Sequence, residues 1–313
     1  RGSHPGAWTI APGRPNVMAR EPAASAEPEA SPERVAFVAG VAVKALLTAQ
    51  DAVSTCSPPH VDSPTGRRRF KKGSGGRIYE EAFTLRCYEV GKCGQAKMMT
   101  IANLLQECAA DHAQALWGEG NWCPLTMKEQ HLAWAMSKQR IVLDRAPAWG
   151  SELLVETWFH ENSRVSARRD WVVRDAKTGE RVAGATSTWI AFNLQTRRLV
   201  RIPAELKGCF ETCCPEDEMW ALPAGGGGGV PDPPEGAAAT EACTLAAQRV
   251  RRSDIDMNGH ANNVCYVEWA LEDVPQGVYD SCGLREVSIE FKREANYGDV
   301  VESVACELGE GAG

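Results

Sequence analysis

Residues 253–273, SDIDMNGHANNVCYVEWALED, join two kinds of pattern. In the first half Asp256, Asn258 and His260 fall on alternate positions, and Asn262 and Asn263 follow at once. The second half is apolar at helical spacing. If a strand continues through residues 256–260, the three alternating side chains project to one side. Asn262 or Asn263 then caps the next helix by offering a side-chain oxygen to a backbone N–H. A helix N-terminus also presents unpaired N–H groups and a partial positive charge. Polar groups crowded at the entrance of a core helix are what a site needs if a reacting carbonyl is to rest against that end. The same composition suits a plain strand-to-helix turn, where Asp, Asn and Gly are common.

Outward from this stretch, residues 244–252 read as a strand, 263–273 as a helix, 285–292 as a strand and 299–308 as the start of another. The earlier chain has the same order. Residues 81–90 alternate like a strand, and residues 100–117 form an amphipathic helix. Ile101, Leu104, Leu105, Cys108, Ala115 and Leu116 share one face of it, with Asn103, Gln106, Asp111 and Gln114 elsewhere. Gly118 and Gly120 end that helix. Strand-like runs follow at 131–144, 152–161, 165–175 and 181–193, the last two joined by a turn in which Gly179 is free to take positive φ. One strand, one long helix and a run of antiparallel strands is an α+β unit, in which the sheet must cover the apolar stripe of the helix. The order occurs twice, which predicts an internal structural repeat with a short second copy.

The boundaries follow from composition. Residues 1–75, rich in Ala, Pro, Ser and Gly, read as a disordered or targeting segment. Residues 76–220 form the first unit, 221–240 a linker with five consecutive glycines, and 241–313 an incomplete second unit. Within the leading segment, residues 35–48 are an apolar run too short to span a bilayer comfortably. They read as part of a targeting segment, a weak membrane anchor or a tail; the acidic residues around them are unlike an ordinary transit peptide.

The chain has 313 residues, 43% hydrophobic and 24% charged, which is the composition of a soluble globular protein. Its net charge of −7 argues against a general nucleic-acid binder. Twelve cysteines without repeated C-x-x-C pairs or zinc-finger spacing read as free thiols in a reducing compartment. No cofactor or metal is expected.

The string RRSDIDMNGHANNVCYVEW resembles the signature of the plant and algal acyl–acyl-carrier-protein thioesterases, Asp-x-Asn-x-His-x-Asn-Asn followed by a Tyr. TIANLLQECAADHAQ, PAWGSELLVETW, ARRDWVVRDAKTGE and ATSTWIAFNLQTRRL are similar to family segments in the same order. The resemblance covers roughly residues 76–306 and is nearer to the oleoyl-preferring class. It implies two tandem hotdog units, each a curved antiparallel sheet around a long helix, and hydrolysis of acyl thioesters in a plastid stroma.

By that resemblance Asp256, Asn258 and His260 take the catalytic positions, and Glu294 in FKREAN takes that of a further Glu. The next family residue is a Cys, here Ala295, so water activated by a general base becomes the expected nucleophile. Gly259 and Ala261 stand where the family usually has Gln and Val; Gly259 loosens the backbone between two of these positions. Glu294 is the expected base, Asp256 shares or orients the water, and Asn258 and His260 position water and substrate. The helix start near Asn263 polarises the carbonyl. An apolar slot in the first unit takes the acyl chain, with Met98, Met99, Leu104, Leu105, Trp117 and Trp134 as expected lining.

The expected partner is an acidic acyl carrier protein, met by basic clusters at residues 67–72, 197–201 and 249–252. Oligomeric state is left open, a homodimer included. The rival readings are a coenzyme-A thioesterase or dehydratase of the same architecture, and a non-catalytic acyl- or carrier-binding protein.

Overall fold

The computed structural model describes residues 35–37, 40–42, 67–215, 219–223, 243–272, 276 and 284–306. In chain order the elements are β1 (Val35–Phe37), β2 (Gly40–Ala42), β3 (Arg68–Phe70), β4 (Tyr79–Thr84), α1 (Met98–Trp117), α2 (Leu125–Glu129), β5 (Leu132–Leu143), β6 (Glu152–Ser163), β7 (Ser166–Asp175) and β8 (Arg181–Asn193). They continue with β9 (Arg198–Leu199), α3 (Lys207–Cys213), β10 (Cys243–Arg249), α4 (Asn263–Glu272), β11 (Glu286–Lys292) and β12 (Val300–Cys306).

Period-two alternation in the long runs builds one large sheet, in the order β2-β11-β5-β8-β7-β6-β4-β3, with β9 beside β8. All its neighbours are antiparallel except β2, which lies parallel to β11. A smaller sheet has the order β1-β12-β10. The β7–β8 turn closes as its residues dictate: Gly179 takes φ +73° and donates its N–H to the Asp175 carbonyl at 2.8 Å.

The sheet wraps α1. Ile101, Leu105 and Cys108 are fully buried and pack with Val155, Trp171 and Val173. Trp171 Nε1 donates to the Leu105 carbonyl at 3.0 Å, which ties sheet to helix at that level. Gly118, at φ +92°, ends the helix and returns its N–H to Gln114. This is the helix-in-sheet arrangement of a hotdog, and the fold class is α+β. The second helix packs into the same core: Val264, Tyr266, Val267 and Trp269 of α4 belong to the cluster that holds Ile101 and Leu105. Because β11 pairs with β5, the large sheet runs from the first unit into the second.

Three boundaries differ from the sequence reading. Residues 67–75, read as part of the leading segment, belong to the folded unit, because β3 pairs with β4 and Arg68 reaches both Glu81 and Asp111. Residues 35–37 and 40–42 of the apolar run are strands paired with β12 and β11; residues 43–48 lie outside the described residues. Among the described residues no helix is long and apolar enough to cross a membrane. The start of the expected linker is not loose either. Ala221 and Leu222 are buried, the Ala221 N–H bonds Asp170, and Arg168 donates to the Leu222 carbonyl. The five-glycine run lies outside the described residues.

Candidate active site

The loop before α4 is a tight turn, not a continued strand. β10 stops at Arg249, and Arg252–Asp254 form one short 3-10 turn. Ile255 and Ala261 then bridge antiparallel across residues 256–260. Inside that span the Asp256 N–H bonds the His260 carbonyl at 2.8 Å and the Gly259 N–H bonds the Asp256 carbonyl at 3.0 Å. Gly259 sits at φ +87°, a backbone state that favours glycine. The alternation of Asp256, Asn258 and His260 therefore serves a turn. The Asp256 carboxylate accepts the Asn258 backbone N–H at 2.8 Å and its side-chain amide at 3.3 Å, so each fixes the other. Of the two candidate caps, Asn262 is the one used: its Oδ1 accepts the Val264 N–H at 2.9 Å.

Glu294 lies just past the end of β11, where the ladder no longer guides the chain. Two bonds hold its neighbour instead. The Ala261 N–H donates to the Ala295 carbonyl at 2.9 Å, and the Ala295 N–H donates to the Tyr266 hydroxyl oxygen at 2.9 Å. Residues 260–266 thereby grip the chain beside Glu294. From the first unit, Arg197 Nη2 approaches Glu294 Oε1 to 3.9 Å. Arg197 was expected as a docking charge; its left-handed backbone (φ +56°) in the β8–β9 turn aims it at Glu294 instead.

Polar side chains of the loop before α4, and Glu294, open onto a cavity of about 480 Å³. Asp256, Asn258, His260, Asn263, Tyr266 and Glu294 line it on the α4 side. It continues under α1 along Ala102, Ala109, Ala113 and Trp117, with Trp134, Phe159 and Phe210 opposite. Small alanines on that face of α1 leave the space. Of the expected lining, Trp117, Trp134 and Asn263 are in the cavity wall. Met98, Met99, Leu104 and Leu105 are not: they pack in the core between α1 and the sheet. Gln106 and Gln114, read as belonging to the polar side, are in the wall.

The wall also holds a buried charge that the sequence reading missed. Arg169 is 8% exposed and forms no ion pair among the described residues. Its Nη1 donates to His112 Nδ1 at 3.0 Å and to Thr157 Oγ1 at 3.2 Å, and its guanidinium lies 5.3 Å from the Phe159 ring centroid. Burial lowers its pKa to about 10, which leaves it a cation at neutral pH. Among the described residues Trp117 Nε1 is buried without a hydrogen-bond partner. Burial pushes the Cys123 thiol, in the wall, up to about 11, and the Cys265 thiol, in α4, up to about 12. Both stay protonated and are poor nucleophiles. Ala295 is buried. Among the described residues no group of three or more His, Cys, Asp or Glu is placed to hold a metal.

Chemically, this is an apolar slot that opens at one side onto a carboxylate, an imidazole, an Asp–Asn pair and a helix N-terminus. Comparison with known proteins points the same way. Residues 76–210 match the acyl-ACP thioesterase N-terminal domain and residues 237–311 the C-terminal domain, together more than half of the chain. The chain is 36% identical over 245 residues to oleoyl-acyl carrier protein thioesterase 2, chloroplastic, of Arabidopsis thaliana, covering 77% of this chain and 66% of the relative. Against palmitoyl-acyl carrier protein thioesterase, chloroplastic, of the same plant it is 32% identical, covering 75% and 57%. The chain thus spans at most about two thirds of the length of these relatives. Among solved structures, the 12:0-ACP thioesterase from Umbellularia californica superposes with a TM-score of 0.68 at 28% identity, over 77% of this chain and 87% of that one. By both domain matches, in order along one chain, this protein belongs to the acyl-ACP thioesterase family.

Proposed function

We propose that this chain hydrolyses the thioester of a long-chain acyl-acyl carrier protein and releases the free fatty acid. One observation carries the reading: Asp256, Asn258, His260 and Glu294 open with the start of α4 onto a single cavity whose remainder is largely apolar. A fatty thioester matches that division. Its chain gains about 0.8 kcal/mol per buried methylene in the slot, and its carbonyl rests among the polar groups.

Each group then has a task. Glu294 takes a proton from water as the water oxygen attacks the thioester carbon. Asp256, fixed by its two bonds to Asn258, orients that water. His260, 9% exposed, and Asn258 place the substrate, and the capped N-terminus of α4 faces the negative charge that develops on the carbonyl oxygen. Collapse of the tetrahedral intermediate breaks the C–S bond, and the sulfur leaves as the carrier's thiol once it takes up the proton. General-base help is worth about 10²–10⁴-fold, and one oxyanion donor about 2.7–4 kcal/mol.

The relatives named for oleoyl substrates support an oleoyl-preferring enzyme, and their chloroplastic names support a plastid, with the stroma as the compartment. For the acidic carrier, the docking charges proposed are those not taken up by ion pairs at β3. Arg68, Arg69 and Lys71 are already engaged by Glu81, Glu80 and Glu156. Arg67, Lys72, Arg198, Arg201, Arg249, Arg251 and Arg252 are exposed, and they are the proposed contacts.

The test is to incubate the purified protein with C16 and C18 acyl-acyl carrier protein and quantify the released acid. Free fatty acid, lost in Glu294→Ala and His260→Ala, is the expected result. An enoyl thioester product would instead mark a dehydratase, and intact carrier with bound acyl chain a binding protein.

A further inference from the structure

We propose that Tyr266 is a positioning residue for the reaction: its hydroxyl holds the backbone beside Glu294 and so sets where that carboxylate meets water and substrate. The inference rests on Glu294 being the general base. Residues 293–296 follow the end of β11 and belong to no strand. Asn296 is tied to Asp299, and nearer to Glu294 the segment is fastened by a pair of bonds at Ala295. Its carbonyl accepts the Ala261 N–H, one residue after His260, and its N–H donates to Tyr266 Oη, one turn into α4, each at 2.9 Å. A single segment, 260–266, therefore carries the imidazole and both fastenings of the acid's neighbour. Tyr266 also lines the cavity itself.

The ring of Tyr266 is held independently of its hydroxyl. It is 3% exposed and meets Trp269 edge-on at 4.9 Å and Phe291 at 5.9 Å between centroids. Burial raises its phenol pKa further above the ordinary tyrosine value, so the group remains a neutral hydroxyl through the working range. Replacement by Phe keeps the ring packing and removes the hydroxyl, and with it the bond accepted from Ala295. The Ala295 N–H, 3% exposed as a residue, is then left buried without that partner, and the chain at 294–295 shifts to satisfy it. Glu294 lies beyond the last ladder pair of β11, Lys292 with Ala42.

Kinetics of wild type, Tyr266→Phe, Glu294→Gln and the double variant separate the possibilities, with melting temperatures recorded alongside. Expected is a roughly tenfold fall in kcat for Tyr266→Phe with KM within about twofold, and no further fall when the change is made in the Glu294→Gln background, read by single-turnover release of labelled acid. A structural role alone would lower both backgrounds by the same factor, and that result overturns the inference. So does a Tyr266→Phe enzyme with kcat within twofold of wild type while Glu294→Gln is impaired; this outcome leaves the assignment of Glu294 standing. Full activity in Glu294→Gln would remove the base assignment and the inference with it. Should Tyr266→Phe not fold, Tyr266→Met in the same two backgrounds gives the same comparison, since its flexible thioether fits within the ring site and is at most a weak acceptor.

Discussion

Arg197 Nη2 stands 3.9 Å from Glu294 Oε1, a contact between the β8–β9 turn of the first unit and the end of β11 in the second. It joins the two halves at the acid on which the proposed chemistry depends. The arginine side chain is 48% exposed and the glutamate 13%, so solvent screens the pair and its worth is small, about 0–1 kcal/mol. Arg197→Gln is therefore expected to lower kcat by no more than about fivefold, with the deficit shrinking as salt is raised in both enzymes. Steady-state release assays at low and high ionic strength check this. A loss of a hundredfold would mean that Arg197 touches substrate.

Gly259 offers a second test. The resemblance puts Gln there in most of the family, yet the turn holds this residue at φ +87°. A Cβ built on Gly259 meets no atom within 4 Å, so the cost of a side chain is conformational and not a clash. Gly259→Gln should lower stability by roughly 1–2 kcal/mol while keeping the Asp256–His260 and Gly259–Asp256 bonds, and hence most of the turnover. Thermal denaturation together with acid release measures both sides. Abolished turnover with an unchanged melting temperature would show that glycine is needed for the chemistry itself.

The long elements were legible because their periods are long and clean. Residues 100–117 and the four strand runs between 131 and 193 fall within a residue or two of α1 and β5–β8. Strands of six or seven residues, such as β10, β11 and β12, were also read, but several shorter elements were not. β3, β9, α2 and α3 are too short to show a period, and β3 and β9 are placed by pairing with β4 and β8. The candidate catalytic residues line the cavity, and of the two local shapes the sequence left open, a continued strand and a turn, the structure has the turn. Alternation at 256–260 is shared by strands and turns, and only the closing bonds across Gly259 distinguish them. The cavity wall was the least legible part. An apolar stripe marks what is buried, not what borders space; on α1 Met98, Ile101, Leu104 and Leu105 fill the core, and Ala102, Ala109, Ala113 and Trp117 border the slot. Arg197 and Arg169 carry no local signal, because what defines them is a partner, or its lack, far away in sequence.

That division of α1 predicts chain-length behaviour. Ala113 is in the cavity wall beside Trp117, whereas Met99 packs against the core. Ala113→Leu puts three extra carbons into the slot. It should lower kcat/KM for C18 relative to shorter acyl chains by about 1–3 kcal/mol, or roughly 10- to 200-fold, at a stability cost of about 1–3 kcal/mol. Met99→Leu should leave the preference where it is. Competition assays with mixed acyl-carrier substrates give the ratio directly, and a selectivity change in Met99→Leu without one in Ala113→Leu would contradict the wall described above.

Two buried groups near the β3–α1 contact give stability a specific pH dependence. His112 is fully buried, stacked on Tyr79 at 5.4 Å, and accepts from Arg169; desolvation and then that guanidinium hold its pKa well below 6.5. Below about pH 6.5 the unfolded chain binds a proton here that the fold refuses. Stability from this group is therefore lost as pH falls, by up to about 1.4 kcal/mol per pH unit. Glu81 has the opposite sign. Burial, and then the charge of Asp111, raise its pKa from 4.5 to about 8 against the pull of Arg68, so between those values the fold keeps a proton that the unfolded chain has lost. Its contribution is complete below 4.5 and gone above about 8. Between about pH 5 and 6.5 the two slopes oppose each other, and only the Glu81 slope acts from there to 8. Urea denaturation across pH 5–8 should show a plateau followed by a decline in the wild type. Glu81→Gln, which keeps an acceptor for Arg68, should leave a rise up to about 6.5 and then a level. His112→Phe should give a decline across the whole window, and parallel curves for all three proteins would mean that neither buried group titrates as its surroundings require.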